Sequence, residues 1–395
     1  MTDRQEDAPM LSGTHRNSRQ EQVVYGRPAA QVLEELAANF GARRLLIVTT
    51  ASLADSLAKQ TASALGELCV GVFSDVSAHA PRSSVIAGAA QARDLGADLL
   101  VALGGGSAID ATKVIQLCLW ADIATAQGLD PYRAGRGPDR IDVAEIAAGI
   151  RMVAVPTTLS AAEFTPFAGV TDTARHAKEG FAHPMLAPRA VVLDPAMTSQ
   201  TPPNLWFSTG MKAVDHAVEQ ICNPIRTPYA DALAEDGLRR LSRGLAASKA
   251  APLDLEARLE CQFGMWLAMS GAGAGRGLGA SHAIGHTLGG TYGVPHGITS
   301  CVMLWAVLQW NAGADDARQA RVSELMGFDG VAASQAVKRL VAGLGLPTDL
   351  AAVGIGPDQF LAIAEHTMHD SGVRSNPRPI EGPYDIVQIL EIARG

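Results

Sequence analysis

Five side chains in the second half of the chain have the types and the spacing for chemistry. Lys212 and His216 stand four apart, as do His282 and His286, and His296 follows in Val294-Pro295-His296-Gly297. Residues four apart share one helix face, so the two pairs are expected to line a common cleft with His296. Imidazoles in this number first suggest a divalent metal held by histidines and one carboxylate. Lys212 stands where the carboxylate would be wanted. Its ammonium repels a cation and offers no lone pair. Asp215 adjoins His216 but lies about 100° round a helix from it, which makes it a poor replacement ligand on this reading. A buried ammonium can itself polarise a carbonyl and stabilise a developing alkoxide. Burial would also lower its pKa and make it a better acid near neutrality. The expectation is that Lys212 binds the substrate oxygen. His216, His282 and His296 would orient or neutralise an acidic substrate, and His286 would relay a proton to solvent. The plainer alternative makes Lys212 a helix-surface residue, extended to solvent or paired with Asp215 or Glu219.

A second set points to a dinucleotide. Gly104-Gly105-Gly106-Ser107 follows the apolar run Asp98–Leu103 and precedes a helical pattern over Ala108–Leu119. Glycines let backbone approach a pyrophosphate, and a helix N-terminus offers free N–H groups and a positive dipole end. Three consecutive glycines exceed what a plain tight turn needs. Thr157, Thr158 and Ser160 lie at the next strand-to-loop junction, where they could donate hydroxyls to a cofactor or simply cap and turn the chain. Asp110 sits in the first turns of the helix after the glycines, where it favours the dipole whatever else it does. Arg175, His176 and Lys178 form a basic group; a solvated hairpin turn accounts for the first two, and Lys178 is retained as a cofactor residue. His366 and His369 lie near Arg374 and Arg378. The two arginines could clamp a carboxylate or serve the surface.

These residues need elements to hold them. Short apolar runs at Arg44–Thr49, Cys69–Phe73, Asp98–Leu103, Arg151–Val155 and Ala190–Leu193 read as buried parallel strands. They alternate with helical patterns at Val32–Phe40, Ser52–Leu65, Ser83–Leu95 and Ala108–Leu119, the signature of a doubly wound α/β domain. After Asp194-Pro195 the alternation stops. Helical patterns follow at Asn204–Cys222, Tyr229–Ala247, Leu255–Ser270, Thr299–Trp310 and Ala333–Leu344. The expected organisation is a flexible tail over 1–22, an α/β dinucleotide-binding domain over 23–195 and an all-α substrate domain over 196–395.

Composition bounds the function. The chain has 395 residues, 47% hydrophobic and 18% charged, enough for two domains and a large core. A net charge of −8 argues against nucleic acid as a partner. Five scattered cysteines without a C-x-x-C spacing read as buried thiols in a reducing compartment. No apolar run approaches a membrane span, and the polar N-terminus lacks the apolar stretch of a signal peptide. The expectation is a soluble, cytoplasmic protein.

Taken together, Gly104-Gly105-Gly106-Ser107-x-x-Asp110-x-x-Lys113, Pro156-Thr157-Thr158, Lys178-x-Gly180, Asp194-Pro195, the His216 helix, His282-x-x-x-His286 and Pro295-His296-Gly297 resemble the iron-containing (group III) alcohol dehydrogenases, from about Val24 to the end. Ser77-Ala78-His79-Ala80-Pro81, His286-Thr287-Leu288-Gly289-Gly290 and Asn376-Pro377-Arg378-Pro379 bring the chain closest to the maleylacetate reductases. The resemblance implies a dehydroquinate synthase-like fold, reduction of a carbonyl with NADH or NADPH, and a homodimer. In metal-dependent members the position of Lys212 is an aspartate ligand, and those of His216, His282 and His296 complete the set for iron or zinc. Maleylacetate reductases lack that aspartate and look metal-independent, so no metal is expected here. Thr50 stands where NAD-preferring relatives often have aspartate, which leaves NADPH open. The competing readings are a metal-dependent alcohol dehydrogenase in which another group replaces the carboxylate, a dehydroquinate synthase-like lyase, and a non-catalytic dinucleotide binder.

Overall fold

The structure, a computed structural model, describes residues 18–135, 146–175, 177–225, 227–272 and 277–395. Its strands are β1 (Gln22–Tyr25), β2 (Leu45–Val48), β3 (Cys69–Phe73), β4 (Leu99–Gly104), β5 (Arg151–Pro156), β6 (Phe167–Asp172), β7 (Ala177–Ala182) and β8 (Ala190–Leu193). Six of them form one parallel sheet in the order β1-β8-β5-β4-β2-β3, and β6 and β7 form a separate antiparallel hairpin. Helices α1 (Ala29–Phe40), α2 (Ala51–Leu53), α3 (Lys59–Leu65), α4 (Arg82–Asp94) and α5 (Gly106–Trp120) connect the strands, with a π-helical turn at Ala54–Ala58 joining α2 to α3.

The central strands are apolar on both faces because both faces are covered. Leu45, Ile47, Leu99, Val101, Leu103, Val153 and Val155 pack with Val32, Leu33 and Leu36 of α1 on one side. Leu46, Val48, Leu100, Ala102, Met152 and Ala154 alternate with them and pack on the other, in a cluster that includes α4, α5 and the helical half of the molecule.

From β2 the chain steps outward to β3, then returns to β4 on the other side of β2. This reversal opens a crevice at the carboxyl ends of β2 and β4, the place where ligands bind in open parallel sheets. Thr50 follows β2 and Gly104–Ser107 follow β4, so the topology brings them to the two sides of that crevice.

The second half is helical: α6 (Pro203–Cys222), α7 (Pro228–Ala250), α8 (Leu255–Ala272), α9 (Ala280–Tyr292), α10 (His296–Trp310), α11 (Asp316–Leu325), α12 (Ala333–Leu344), α13 (Phe360–Thr367) and α14 (Pro383–Ile392). Every residue of α6 from Trp206 to Cys222 is buried. A helix surrounded on all sides has no solvent face, so its polar residues must be satisfied inside.

Ordered structure begins earlier than the expected tail allows. Gln22 opens β1, Glu21 N–H donates to Arg189 O at 2.8 Å, and Arg189 Nε pairs with Glu21 at 2.7 Å. Residues 1–17 of that tail lie outside the described residues. Among the described residues no helix is long and apolar enough to cross a membrane. Cys118, Cys222, Cys261 and Cys301 are buried, while Cys69 is half-buried.

Candidate active site

The cofactor side of the site is built on two glycines. Gly104 ends β4 with φ 148°, and Gly105 stands at the N-terminus of α5 with no side-chain cap. A Cβ on Gly105 would lie 2.9 Å from Thr158 Cγ2, and one on Gly106 would lie 3.3 Å from Ser160 Oγ. Thr158 and Ser160 therefore lie directly against the turn, and their buried hydroxyls have no hydrogen-bond partner among the described residues. Orphaned buried hydroxyls beside an uncapped helix start suit a phosphate-bearing ligand. The Thr157 backbone is tied down, its N–H donating to Gly104 O and its carbonyl accepting from Thr201 Oγ1. Thr50 stands at the start of α2 without a side-chain cap, its hydroxyl 3.0 Å from Ser52 Oγ.

Asp110 faces the hairpin. Its Oδ2 accepts the Gly169 N–H at 3.0 Å, which ties β6 to α5, and burial raises its pKa. Lys113, fully buried, donates to the carbonyls of Ala162 and Phe167 at 2.6 Å each. Lys178 lies on β7 opposite Thr171, with its side chain over Gly169. Burial lowers the pKa of His79, and the nearby Lys178 charge adds to the effect. Arg175 fits the plain hairpin turn: its guanidinium is bidentate on Asp130 at 2.8 and 2.9 Å. His176 lies outside the described residues.

The chemistry side converges as the spacing predicts. The start of α10 packs directly on α6: a Cβ on Gly297 would come within 2.6 Å of the Ser208 backbone. Only glycine permits that approach, and it sets His296 beside the turn of α6 that carries Lys212. The His216 and His282 rings stack at 4.8 Å, and the His286 and His296 rings lie parallel at 5.8 Å. His286 is also edge-on to His282 at 6.4 Å.

Lys212 is not a surface residue. It is 3% exposed, and its Nζ has no hydrogen-bond partner among the described residues. Burial drives its pKa down, and Asp215 and Glu219 act to raise it. Burial lowers the pKa of His216 and His282, with the Lys212 charge adding to the effect, and the Lys212 charge followed by burial lowers that of His296. These three imidazoles are held neutral well below their ordinary range. In that form they can orient a substrate by hydrogen bonds.

Setting Asp215 aside is corrected. Lys212, Asp215, His216 and Glu219 stand at i, i+3, i+4 and i+7, one face of α6. Measured only from His216, Asp215 looks turned away; measured from Lys212 and Glu219 it is in line. Asp215 Oδ2 lies 3.8 Å from Lys212 Nζ and accepts from Ser281 Oγ at 3.0 Å and Ser300 Oγ at 2.5 Å. Glu219 accepts from the N–H groups of Gly279 at 2.6 Å and Ser281 at 2.8 Å, and its Oε2 shares a 2.7 Å hydrogen bond with His282 Nδ1. Burial raises the pKa of both carboxyls.

Three residues escaped the sequence reading. Glu219 appeared there only as a surface partner, although its helical spacing carried the signal. Asp370 accepts at 2.8 Å from His286, a contact between positions 84 apart that no local pattern announces. His79, which the sequence reading quoted only within a motif, has φ 63°, and its N–H donates to Ser107 Oγ at 3.2 Å. Arg378 is corrected from a carboxylate clamp: it donates to Trp310 O at 2.8 Å and stacks on the Trp310 ring. Arg374, His366 and His369 are exposed.

A parallel sheet with a crevice at its strand reversal precedes a helical half that gathers a lysine and imidazoles, and the relatives with this organisation are oxidoreductases. The model of the iron-containing alcohol dehydrogenase matches residues 20–195, and that of the Fe-containing alcohol dehydrogenase family C-terminal region matches 206–394. Maleylacetate reductase 2 of Cupriavidus pinatubonensis is 32% identical, covering 94% of each chain. The 4-hydroxybutyrate dehydrogenase of Cupriavidus necator is 33% identical, covering 89% of this chain and 92% of that one. The crystal structure of maleylacetate reductase from Agrobacterium tumefaciens superposes with a TM-score of 0.82 at 28% identity, covering 98% of this chain and 99% of that one. The chain belongs to the iron-containing alcohol dehydrogenase family.

Proposed function

We propose that the chain reduces the carbonyl of a small keto or enol acid of the maleylacetate type, using NADH or NADPH and no resident metal. The observation that carries this reading is the Lys212 ammonium, buried, without a hydrogen-bond partner among the described residues and on one face of α6 with His216. The iron implied by the family's name does not fit beside it. Two unit charges about 4 Å apart repel by about 4 kcal/mol at an effective dielectric of 20, and a divalent ion doubles that.

The nicotinamide cofactor, when bound, supplies the hydride. Thr158, Ser160 and the N–H groups at the start of α5 support its phosphates, and Lys178 adds a positive charge. Thr50 carries no charge to repel a 2′-phosphate, so either nicotinamide dinucleotide is accommodated. Lys212 Nζ hydrogen-bonds the substrate oxygen, stabilises its developing negative charge and delivers a proton to it. Asp215 and Glu219 hold the ammonium in place between turnovers. His216, His282 and His296 shape the pocket as neutral hydrogen-bonding groups, and His286 exchanges protons with solvent. Lys178 and Lys212 together favour an anionic substrate.

A second reading has its own observation. Asp215, Glu219 and His282 bring ligand atoms within 4.8 Å of one another, which would let a metal-dependent alcohol dehydrogenase hold its ion one step deeper. Against it, both Glu219 oxygens and Asp215 Oδ2 already accept from backbone, serine or histidine donors, which leaves Asp215 Oδ1 and His282 Nε2 as the atoms of that trio without a partner among the described residues.

The test is hydride transfer from NADH and NADPH to a panel of keto acids and simple aldehydes, in the wild type and in Lys212→Met. Keto acids should be reduced in preference to uncharged aldehydes. The variant should lose about a hundredfold or more in kcat while its cofactor Kd stays near wild type. Equal turnover in the two proteins would remove Lys212 from the mechanism.

A further inference from the structure

We propose that Asp370 is a positioning residue for this reaction, fixing the tautomer and ring orientation of His286 so that Nε2 is the nitrogen that exchanges protons. The proposal rests on the reading of His286 as the relay. His286 spans two environments: its side chain is 53% exposed, yet its ring lies parallel to that of His296 and edge-on to that of buried His282. Its Nδ1 is 2.8 Å from Asp370 Oδ2. The His286 hydrogen bond holds the Asp370 carboxyl below its ordinary range. An ionised carboxylate only accepts, so Nδ1 carries the hydrogen and Nε2 is left for proton traffic.

The carboxylate is itself immobilised. Asp370 Oδ1 accepts the Gly372 N–H at 2.8 Å. A Cβ on Gly372 would lie 2.9 Å from the carbonyls of both Leu278 and Gly279, and Ser375 Oγ donates to Leu278 O at 2.7 Å. The segment bearing Asp370 is thus seated on the entry to α9, the helix that carries His286, and the two partners cannot drift apart independently.

The proton balance is simple. Lys212 gives one proton to the product oxygen and becomes a neutral amine. The relay returns one from Nε2 of the doubly protonated His286, which leaves that ring neutral with Nδ1–H on Asp370. Water then restores the proton at Nε2, so one solvent proton enters per carbonyl reduced.

The experiment is a double-mutant cycle of Asp370→Asn with His286→Ala, read as kcat, KM and cofactor Kd. Asp370→Asn should lower kcat about tenfold or more with KM and cofactor Kd near wild type. Asp370→Glu should recover part of the loss, and the double variant should be no slower than His286→Ala alone. Should the asparagine variant fail to fold, Asp370→Ser keeps a cap for the Gly372 N–H while being too short for the imidazole, and should show the same kcat loss. Losses that multiply in the double variant, or wild-type kcat in the folded Asp370 variants while His286→Ala is slow, overturn the proposal. Wild-type kcat in His286→Ala instead overturns the relay reading on which it rests.

Discussion

An ammonium stripped of water needs fixed compensation close at hand, and Lys212 finds it in Asp215 at 3.8 Å and in Glu219 one turn further on. Both carboxylates are in turn held by serine hydroxyls, backbone N–H groups and His282, so the charges form one buried assembly rather than a single pair. Glu163 is the contrasting case. It is 0% exposed, both its oxygens lack a hydrogen-bond partner among the described residues, and burial pushes its pKa up to about 7 from 4.5. The folded state therefore binds a proton that the unfolded state releases, between roughly those two values. Its stability contribution is intact below the lower value and is lost as pH rises through the upper one. Glu163→Gln should accordingly raise the melting temperature by roughly 2–5 °C at about pH 8 and change it little at about pH 5. An equal shift at both pH values would show that the charge is not what Glu163 costs the fold.

Among the elements, the turn from β4 into α5 is the most constrained. A methyl on Gly105 meets Thr158 at 2.9 Å, so any side chain there pushes the β5 loop from its place. Gly105→Ala should weaken cofactor binding about tenfold with little loss of melting temperature; an unchanged Kd by titration would place the dinucleotide elsewhere. Much of this was legible in the sequence. Apolar runs of strand length marked β2 to β5 and β8, three glycines marked the turn, and i,i+4 spacing gathered the histidines. What stayed hidden has physical causes. Strand β1 is a short edge strand with exposed ends and two half-buried residues between them, too weak an alternation to stand out. The hairpin of β6 and β7 takes part of its anchorage from Asp110 and from an Arg82 network with Asp130, Asp172 and Glu179, all distant in sequence. Lys212, Asp215 and Glu219 were within reach, because period 3.6 applied to the whole of α6 puts them on one face. Asp370 was not, since its partnership with His286 exists only after α9 and the segment following α13 have packed together.

The whole molecule divides between a parallel sheet whose strand reversal opens a crevice and a helical half whose buried helix α6 carries Lys212. Small residues set the spacing between the parts: Gly297 seats α10 on α6, and Gly105 and Gly106 let the β5 loop close on α5. In such a frame a cation fixed to the backbone needs no loading step, and its position is set by folding alone. The central claim is that this fixed cation does the work that a bound ion does in metal-dependent members of the family. The most direct test is turnover by chelator-treated protein, with metal content measured on the same sample. Full keto-acid reduction at far less than one metal per chain is the result expected here. Activity that falls with the metal and returns when iron or zinc is added would contradict it.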